Sequence, residues 1–290
     1  MNLVAFIDQL GAEQSSLPAA RRTVVARLGQ LAWRSAAAAV PLTVLPGTPA
    51  AASTLATALD AMLLLLQLAR TQVALHTQGL AVAGLVPAAQ VADLQTILTQ
   101  HQGHADLLVG ALTDGGATVP AAPSFDFSGR RGVAANPELF PGIFTDYALF
   151  LQLAQQLADA GGRTYQGVML LLVPQRLLHT AALQILATTA RHAAHLRRLR
   201  RLQTPTVPLK PWPSATDAAS VPAPPAALVA ATSVGEGLVR QLLPDSTAVP
   251  YDTLLVAANG TGVQTSALAE AFDEPIFSAQ AQAALNLFVA

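Results

Sequence analysis

Few residues in this chain could carry out chemistry. There is no cysteine, which excludes disulfides, thiolate metal sites and cysteine nucleophiles. The sequence contains no Gly-x-Ser-x-Gly nucleophile elbow. It also has no phosphate loop or dinucleotide fingerprint, and Asn259-Gly260-Thr261-Gly262 is only a turn signal. Six histidines and seventeen acidic residues remain, and no catalytic residue can be assigned among them from motifs.

One run of basic residues could bind a ligand. Four arginines lie within five positions at the end of a predicted helix, Arg197, Arg198, Arg200 and Arg201. Such a cluster can bind phosphate, but cations are also favourable at the negative end of a helix dipole. We expect a solvated helix end. The net charge of −1 gives no basic field for nucleic acid.

The composition favours association with other protein surfaces. Apolar residues make up 52% of the chain and charged residues only 11%, against about a quarter in ordinary proteins. A net charge near zero gives little repulsion between copies. No uninterrupted apolar window reaches about 18 residues. Prolines interrupt the stretch 35–59, and 61–69 is too short, so we expect no membrane insertion.

Apolar periodicity and capping residues predict four long helices. The first is apolar on nearly every side, which is typical of a helix buried in a large protein or against a partner subunit. Glycines are expected to end the first and third helices. The predicted helices run from Ser53 or Thr54 to Gly79, from about 87 to 112, from about 144 to 160 before Gly161-Gly162, and from 174–177 to 202. A helical continuation of the third through Tyr165 is left open.

The two ends of the chain differ from this helical centre. Residues 2–10 and 18–39 are predicted to be helical, and a proline-containing linker follows at 40–53. The chain after residue 204 is rich in proline and alanine, with Trp212 as its expected anchor and a final helix at about 278–290. We therefore divide the chain into an N-terminal segment 1–52, a helical bundle 53–203 and a C-terminal extension 204–290.

Four stretches resemble bacterial ferritin-like domain proteins, in particular the desiccation-related group with a C-terminal extension. They are ALHTQGL at 74–80, PSFDF at 123–127, FTDYALFLQLAQQLADAGGRTYQG with TAALQILATTARHAAHLRRLR at 144–200, and AFDEPIFSAQ at 271–280. The resemblance implies an all-α, ferritin-like four-helix bundle. Such a bundle has one long crossover between its second and third helices, which matches the irregular stretch 113–143.

The resemblance also implies a chemistry, which the sequence does not support. A ferritin-like bundle binds two iron or manganese ions through a Glu from each of two helices and a Glu-x-x-His from each of the others. His101-Gln102-Gly103-His104 and Thr189-Ala190-Arg191-His192 occupy the Glu-x-x-His positions, and neither contains the Glu. Ala158 replaces the glutamate of the third helix, and Gln72, or Ala69, that of the first. The five glutamates all lie outside the predicted bundle helices: Glu13, Glu138, Glu236, Glu270 and Glu274. We expect a degenerate centre.

Three histidines could still form a smaller metal site. By the resemblance, His101, His104 and His192 face one another across the bundle, and three imidazoles can bind one zinc or copper ion. The alternative is that they are core or interface histidines that pair with backbone carbonyls, Gln72, Gln155 or Thr189. We favour the alternative and expect no cofactor. His76 and His195 are expected at a helix end or on the surface.

Two functions remain open. The first is a non-catalytic structural or assembly protein that forms a homo-oligomer or filament, or that pairs with a paralogous ferritin-like chain. The second is a metal-binding redox or storage protein that uses the reduced histidine site. The sequence favours the first.

The location is also open. Arg21-Arg22 followed by an apolar run resembles a twin-arginine export signal, while a retained N-terminal helix would suit a cytoplasmic protein.

Overall fold

A computed structural model describes residues 58–206, 209–214, 225–232, 240–242, 248–250 and 274–290. The helices predicted at 2–10 and 18–39, the arginine pair and the linker 40–53 lie outside the described residues.

Four long helices form the bundle, as predicted. They are α1 (Ala58–Ala81), α2 (Ala88–Asp114), α3 (Tyr147–Val168) and α4 (Arg176–Gln203), and a short 3₁₀ helix (Met169–Leu172) follows α3. Alanine and leucine, strong helix formers, dominate these segments. Asp146 caps α3 by accepting hydrogen bonds from the backbone N–H groups of Ala148 and Leu149. The result is an all-α bundle with a long irregular connection between α2 and α3.

The bundle core is built from the aliphatic faces of the four helices and a few aromatic rings. Leu65, Leu75, Phe150, Leu151 and Leu196 are all at most 1% exposed. Burial of such side chains is the main favourable contribution to folding. The predicted burial of α1 is confirmed on most of its faces, with Met62, Leu64, Leu66 and Leu68 also buried.

One glycine and one glycine pair that were expected to end helices, Gly79 and Gly161-Gly162, instead lie inside them. Gly79 lies within α1, where an added Cβ would come 2.2 Å from Cε2 of Phe150. Gly161 lies within α3, where an added Cβ would come 2.8 Å from Nε2 of Gln72. The prediction that these glycines end their helices was therefore wrong: α1 continues to Ala81, and α3 continues to Val168, three residues past the continuation to Tyr165 that the sequence left open. These glycines allow close approach of neighbouring helices and do not terminate their own.

The C-terminal segment 274–290 packs onto the bundle and onto the α2–α3 connection. Arg163 Nε donates a hydrogen bond to the Glu274 carbonyl oxygen at 2.7 Å. The backbone N–H of Asp126 donates to the Phe288 carbonyl oxygen at 2.8 Å. Phe288 lies 5.4 Å from Phe127, ring centroid to ring centroid. A helix within this segment, α6 (Ser278–Leu285), ends five residues before the predicted end at 290.

The rest of the extension is described in pieces. It includes α5 (Ala226–Thr232) and an antiparallel pair of short strands, β1 (Arg240–Leu242) and β2 (Ala248–Pro250). The prediction that Trp212 anchors the extension was wrong, because its side chain is 45% exposed. Leu209 and Ser214 are the buried side chains of this stretch.

By length and composition alone, α1 could cross a membrane. Its most apolar 18-residue window has a mean hydropathy of 1.3, although the sequence has no uninterrupted apolar run of that length. Residues buried inside the protein make up 56% of this window. The core helix of a bundle has the same properties, so this composition is weak support for membrane insertion.

Candidate functional site

Four histidines from three helices come together inside the bundle, and we call them the histidine cluster. His76 comes from α1, His101 and His104 from α2, and His192 from α4. His101 lies at the centre of the cluster. Its ring centroid lies 4.7 Å from that of His192, 5.6 Å from that of His104 and 5.7 Å from that of His76.

Three of these rings have a buried nitrogen without a hydrogen-bond partner among the described residues. These atoms are Nε2 of His76, Nε2 of His101 and Nδ1 of His192. In His76 and His192 the other ring nitrogen forms a hydrogen bond. Nδ1 of His76 bonds to the Gln72 carbonyl oxygen at 2.9 Å, and Nε2 of His192 bonds to Oε1 of Gln100. Unpartnered buried polar atoms are uncommon in folded proteins and call for a physical explanation.

The environment keeps these imidazoles neutral. Burial lowers the pKa of His76 and of His104 to about 4 in each case. Burial, with the nearby His104, lowers the pKa of His192 to about 3. Burial and the neighbouring imidazoles hold the pKa of His101 well below its usual value. A neutral imidazole has one protonated nitrogen and one lone pair, so each ring can accept a hydrogen bond or bind a metal at neutral pH.

A buried ion pair lies in the same bundle between α3 and α4. Nη2 of Arg197 donates to Oδ2 of Asp159 at 2.6 Å, and its Nε donates to Oδ1 at 3.2 Å. Both side chains are at most 2% exposed. Nη1 of Arg197 also donates to the carbonyl oxygen of Trp212 at 3.0 Å. Next to this pair, Arg200 donates a hydrogen bond to the side-chain oxygen of Gln155. We call these four residues the charged cluster: Gln155, Asp159, Arg197 and Arg200.

Two sequence-based predictions about these residues were wrong. His76 was expected at a helix end or on the surface, but it is 2% exposed. It follows Leu68 and Gln72 at four-residue intervals, which puts all three on the same face of α1. Arg197 and Arg200 were expected in solvent, but they are 2% and 9% exposed. His195 is partly exposed as expected, with Nε2 3.1 Å from Oδ2 of Asp93.

Comparison with protein families identifies the bundle. The model of the ferritin-like domain family matches residues 54–202, slightly more than half of the 290-residue chain. The chain belongs to the ferritin-like domain family. No curated protein matches it.

The residues of this ferritin-like domain do not fit the dinuclear centre that the fold implies. Glutamate is absent from all four bundle helices. Asp159 is the only buried acidic residue among them, and Arg197 neutralises it. Bridging carboxylates are needed to offset the repulsion between two divalent ions, and neutral imidazoles cannot replace them. The four bundle helices therefore contain no glutamate and one buried carboxylate, that of Asp159.

The four histidines are also not positioned to coordinate a metal ion in their described conformations. Within the described ranges, no group of three or more histidine, aspartate or glutamate side chains is already arranged to bind an ion. The structure does bring together His101, His104 and His192, the three histidines singled out from the sequence. It adds His76, which the sequence analysis missed.

Proposed function

We propose that this protein is a non-catalytic ferritin-like assembly unit that forms a homo-oligomer. The observation that carries the proposal is the buried Asp159–Arg197 ion pair, with its 2.6 Å contact. A carboxylate that is paired with a buried guanidinium is not available to bridge metal ions. The one buried carboxylate of the bundle helices is therefore used to join α3 to α4.

The docked C-terminal segment supports a structural role. Gly167 of α3 is so close to this segment that an added Cβ would come 1.9 Å from the Ile276 carbonyl oxygen. The backbone N–H of Ile276 donates to the Arg163 carbonyl oxygen at 3.2 Å, and that of Ala290 donates to the Ser124 carbonyl oxygen at 3.0 Å. These contacts fix the segment along the bundle and across the α2–α3 connection. The outer surface of the bundle is therefore partly built from the extension.

Self-association is supported by charge and by exposed apolar side chains at both ends of α4. With a net charge of −1, electrostatic repulsion between copies is small. Leu170 and Val173, just before α4, are each 48% exposed. Leu202, at the other end of α4, is 60% exposed. Covering these side chains in a subunit contact would remove apolar surface from water.

The native mass of the full chain tests this proposal. Light scattering during size-exclusion chromatography should give a defined multiple of the 29.9 kDa chain mass. Leu202→Glu and Leu170→Glu should each shift the mass toward that of one chain, because a buried charge in the contact is unfavourable. Val133→Glu is the matched control. Val133 is 51% exposed in the α2–α3 connection, so this change should leave the mass unaltered.

Two results would contradict the proposal. One is a single-chain mass for the unmodified protein at all concentrations. The other is an oxidase or peroxidase activity that depends on two bound metal ions per chain. A mass that rises only when a second ferritin-like chain is added would replace the homo-oligomer with a mixed assembly.

A further inference from the structure

The histidine cluster contains a set of lone pairs that no group in the described chain uses. A backbone carbonyl can only accept a hydrogen bond, so the contact between His76 Nδ1 and the Gln72 oxygen puts the proton on Nδ1. Nε2 of His76 then carries the lone pair, and it is the buried atom without a partner.

The same logic applies to His192 with the two nitrogens exchanged. Its Nε2 faces the Gln100 amide oxygen, which can only accept a hydrogen bond, so Nε2 carries the proton and donates it. Nδ1 of His192 therefore carries the lone pair, and it is also buried without a partner. Metal-binding histidines typically donate their other N–H to a carbonyl or carboxylate oxygen, which fixes the ring and its tautomer. Both rings have this arrangement.

His101 connects these two histidines. Its ring is 2% exposed and lies within 6 Å of the other three, with centroid distances of 4.7, 5.6 and 5.7 Å. Its Nε2 is the third buried nitrogen without a partner. Leaving several such atoms without a partner in a core is costly, and water or an ion commonly satisfies them.

We propose that His76, His101 and His192 bind one divalent transition-metal ion through these three nitrogens, with His104 as a fourth ligand. The ligand set selects the class of metal. Neutral imidazoles suit zinc, copper and nickel, whereas magnesium, calcium and manganese prefer carboxylate, carbonyl and water oxygens. A single ion is expected because the cluster contributes no negative charge that could offset a second one.

Ion binding requires the rings to turn from their described positions, in which no three donors surround one point. Rotation about the bond between Cβ and the ring is soft in histidine, with a broad energy profile. The hydrogen bonds of His76 and His192 limit this rotation, so we expect the largest change at His101. Gly103, between His101 and His104, has no atom within 4 Å of an added Cβ. Gly103 is exposed, so this open space lies on the solvent side of α2.

The site would have a structural consequence that does not depend on the oligomer. Its ligands come from α1 and α2, which form one helical hairpin, and from α4 of the other hairpin. A bound ion would tie the two hairpins together in the interior, and four histidine ligands would leave no open position for a substrate. Closed coordination of this kind is typical of structural metal sites.

Zinc binding to the full-length, untagged protein tests the proposal. The chain is first stripped with a chelator and then titrated with Zn²⁺ alone, and bound zinc is measured by elemental mass spectrometry after desalting. We expect one equivalent per chain and a higher melting temperature, since a ligand that binds only the folded state stabilises it. His101→Gln and His192→Gln should each weaken zinc binding more than about 100-fold, since loss of even an outer-shell partner costs about 10- to 100-fold.

His179→Gln is the matched control, because His179 lies on α4 outside the cluster, and it should bind one equivalent as tightly as the unmodified chain. Circular dichroism of each stripped variant verifies that it folds. If a variant does not fold, the proposal is tested by the zinc bound to the unmodified chain and to the His179→Gln control, which should each bind one equivalent. Absence of zinc binding by the folded, unmodified chain would overturn the proposal. Equal zinc binding by folded His101→Gln and His192→Gln variants would also overturn it.

Discussion

The histidine cluster and the charged cluster are two polar regions in the core of one bundle. They differ in whether the described chain supplies hydrogen-bond partners for their buried polar atoms. They share α4, where His192 and Arg197 are five residues apart. Both oxygens of Asp159 accept hydrogen bonds from Arg197. In the histidine cluster, three ring nitrogens have no partner in the described chain. The hydrogen-bond partners of Asp159 thus come from the chain itself, whereas the proposed metal ion would be the partner of the three histidine nitrogens.

The largest effect should follow from breaking the charged cluster. Arg197→Met removes the guanidinium that neutralises the buried Asp159, and removal of one member of a buried pair typically costs about 3–5 kcal/mol. Urea unfolding followed by circular dichroism measures this loss. The double variant Asp159→Leu with Arg197→Met should recover most of it, because the uncompensated charge is then removed. A loss of less than about 1 kcal/mol for Arg197→Met would mean that the pair is not a structural element.

The histidine cluster should make stability depend on pH. Burial lowers the pKa of His76 from 6.5 to about 4 in the folded chain. Between these values the unfolded state binds a proton that the folded state does not, so the free energy of unfolding falls as the pH falls. The loss begins near pH 6.5, ends near pH 4, and amounts to about 1.4 kcal/mol per pH unit for each such histidine.

A comparison of variants isolates this contribution. In chelator-stripped protein, His76→Leu should reduce the slope of unfolding free energy against pH between pH 4 and 6.5 by about 1.4 kcal/mol per pH unit. His179→Leu serves as the control and should leave the slope near that of the unmodified chain. Equal slopes for His76→Leu and the unmodified chain would contradict a neutral, buried His76.

A smaller contrast comes from two glycines in the bundle. Gly161→Ala should destabilise the fold by about 1–3 kcal/mol, because the new Cβ would lie 2.8 Å from Gln72 Nε2 and 3.2 Å from Thr189 Cγ2. Gly103→Ala has open space around it and should stabilise the fold by up to about 1 kcal/mol, since alanine favours helix. Thermal unfolding measures both. A similar shift for the two variants would show that the helices are not in close contact at Gly161.

The sequence was sufficient to predict the four helices and the all-α bundle, because long periodic stretches of alanine and leucine have few other stable arrangements. The sequence was misleading about where the helices end, because it contains glycines inside them. Gly79 and Gly161 have the sequence signature of helix ends, but they serve close helix contacts that only the tertiary structure reveals.

The site was predicted in part, because residue type does not determine burial. His101, His104 and His192 were identified from the spacing of the family ligands, and the structure brings them together. His76 was missed, although its spacing from Gln72 put it on the same helix face. Arg197 was missed because an arginine near a helix end is usually in solvent, and its partner Asp159 lies 38 positions away.

The metal content of protein purified from its native cell, without an affinity tag or added metal, tests the central claim most directly. The histidine cluster should bind about one equivalent of zinc, copper or nickel per chain, and the charged cluster should bind none. Two equivalents of iron or manganese would contradict the account, because they would require a carboxylate-bridged centre that these bundle helices cannot supply. A metal-free native chain would also contradict the account, because the three histidine nitrogens would then have another partner than a metal ion.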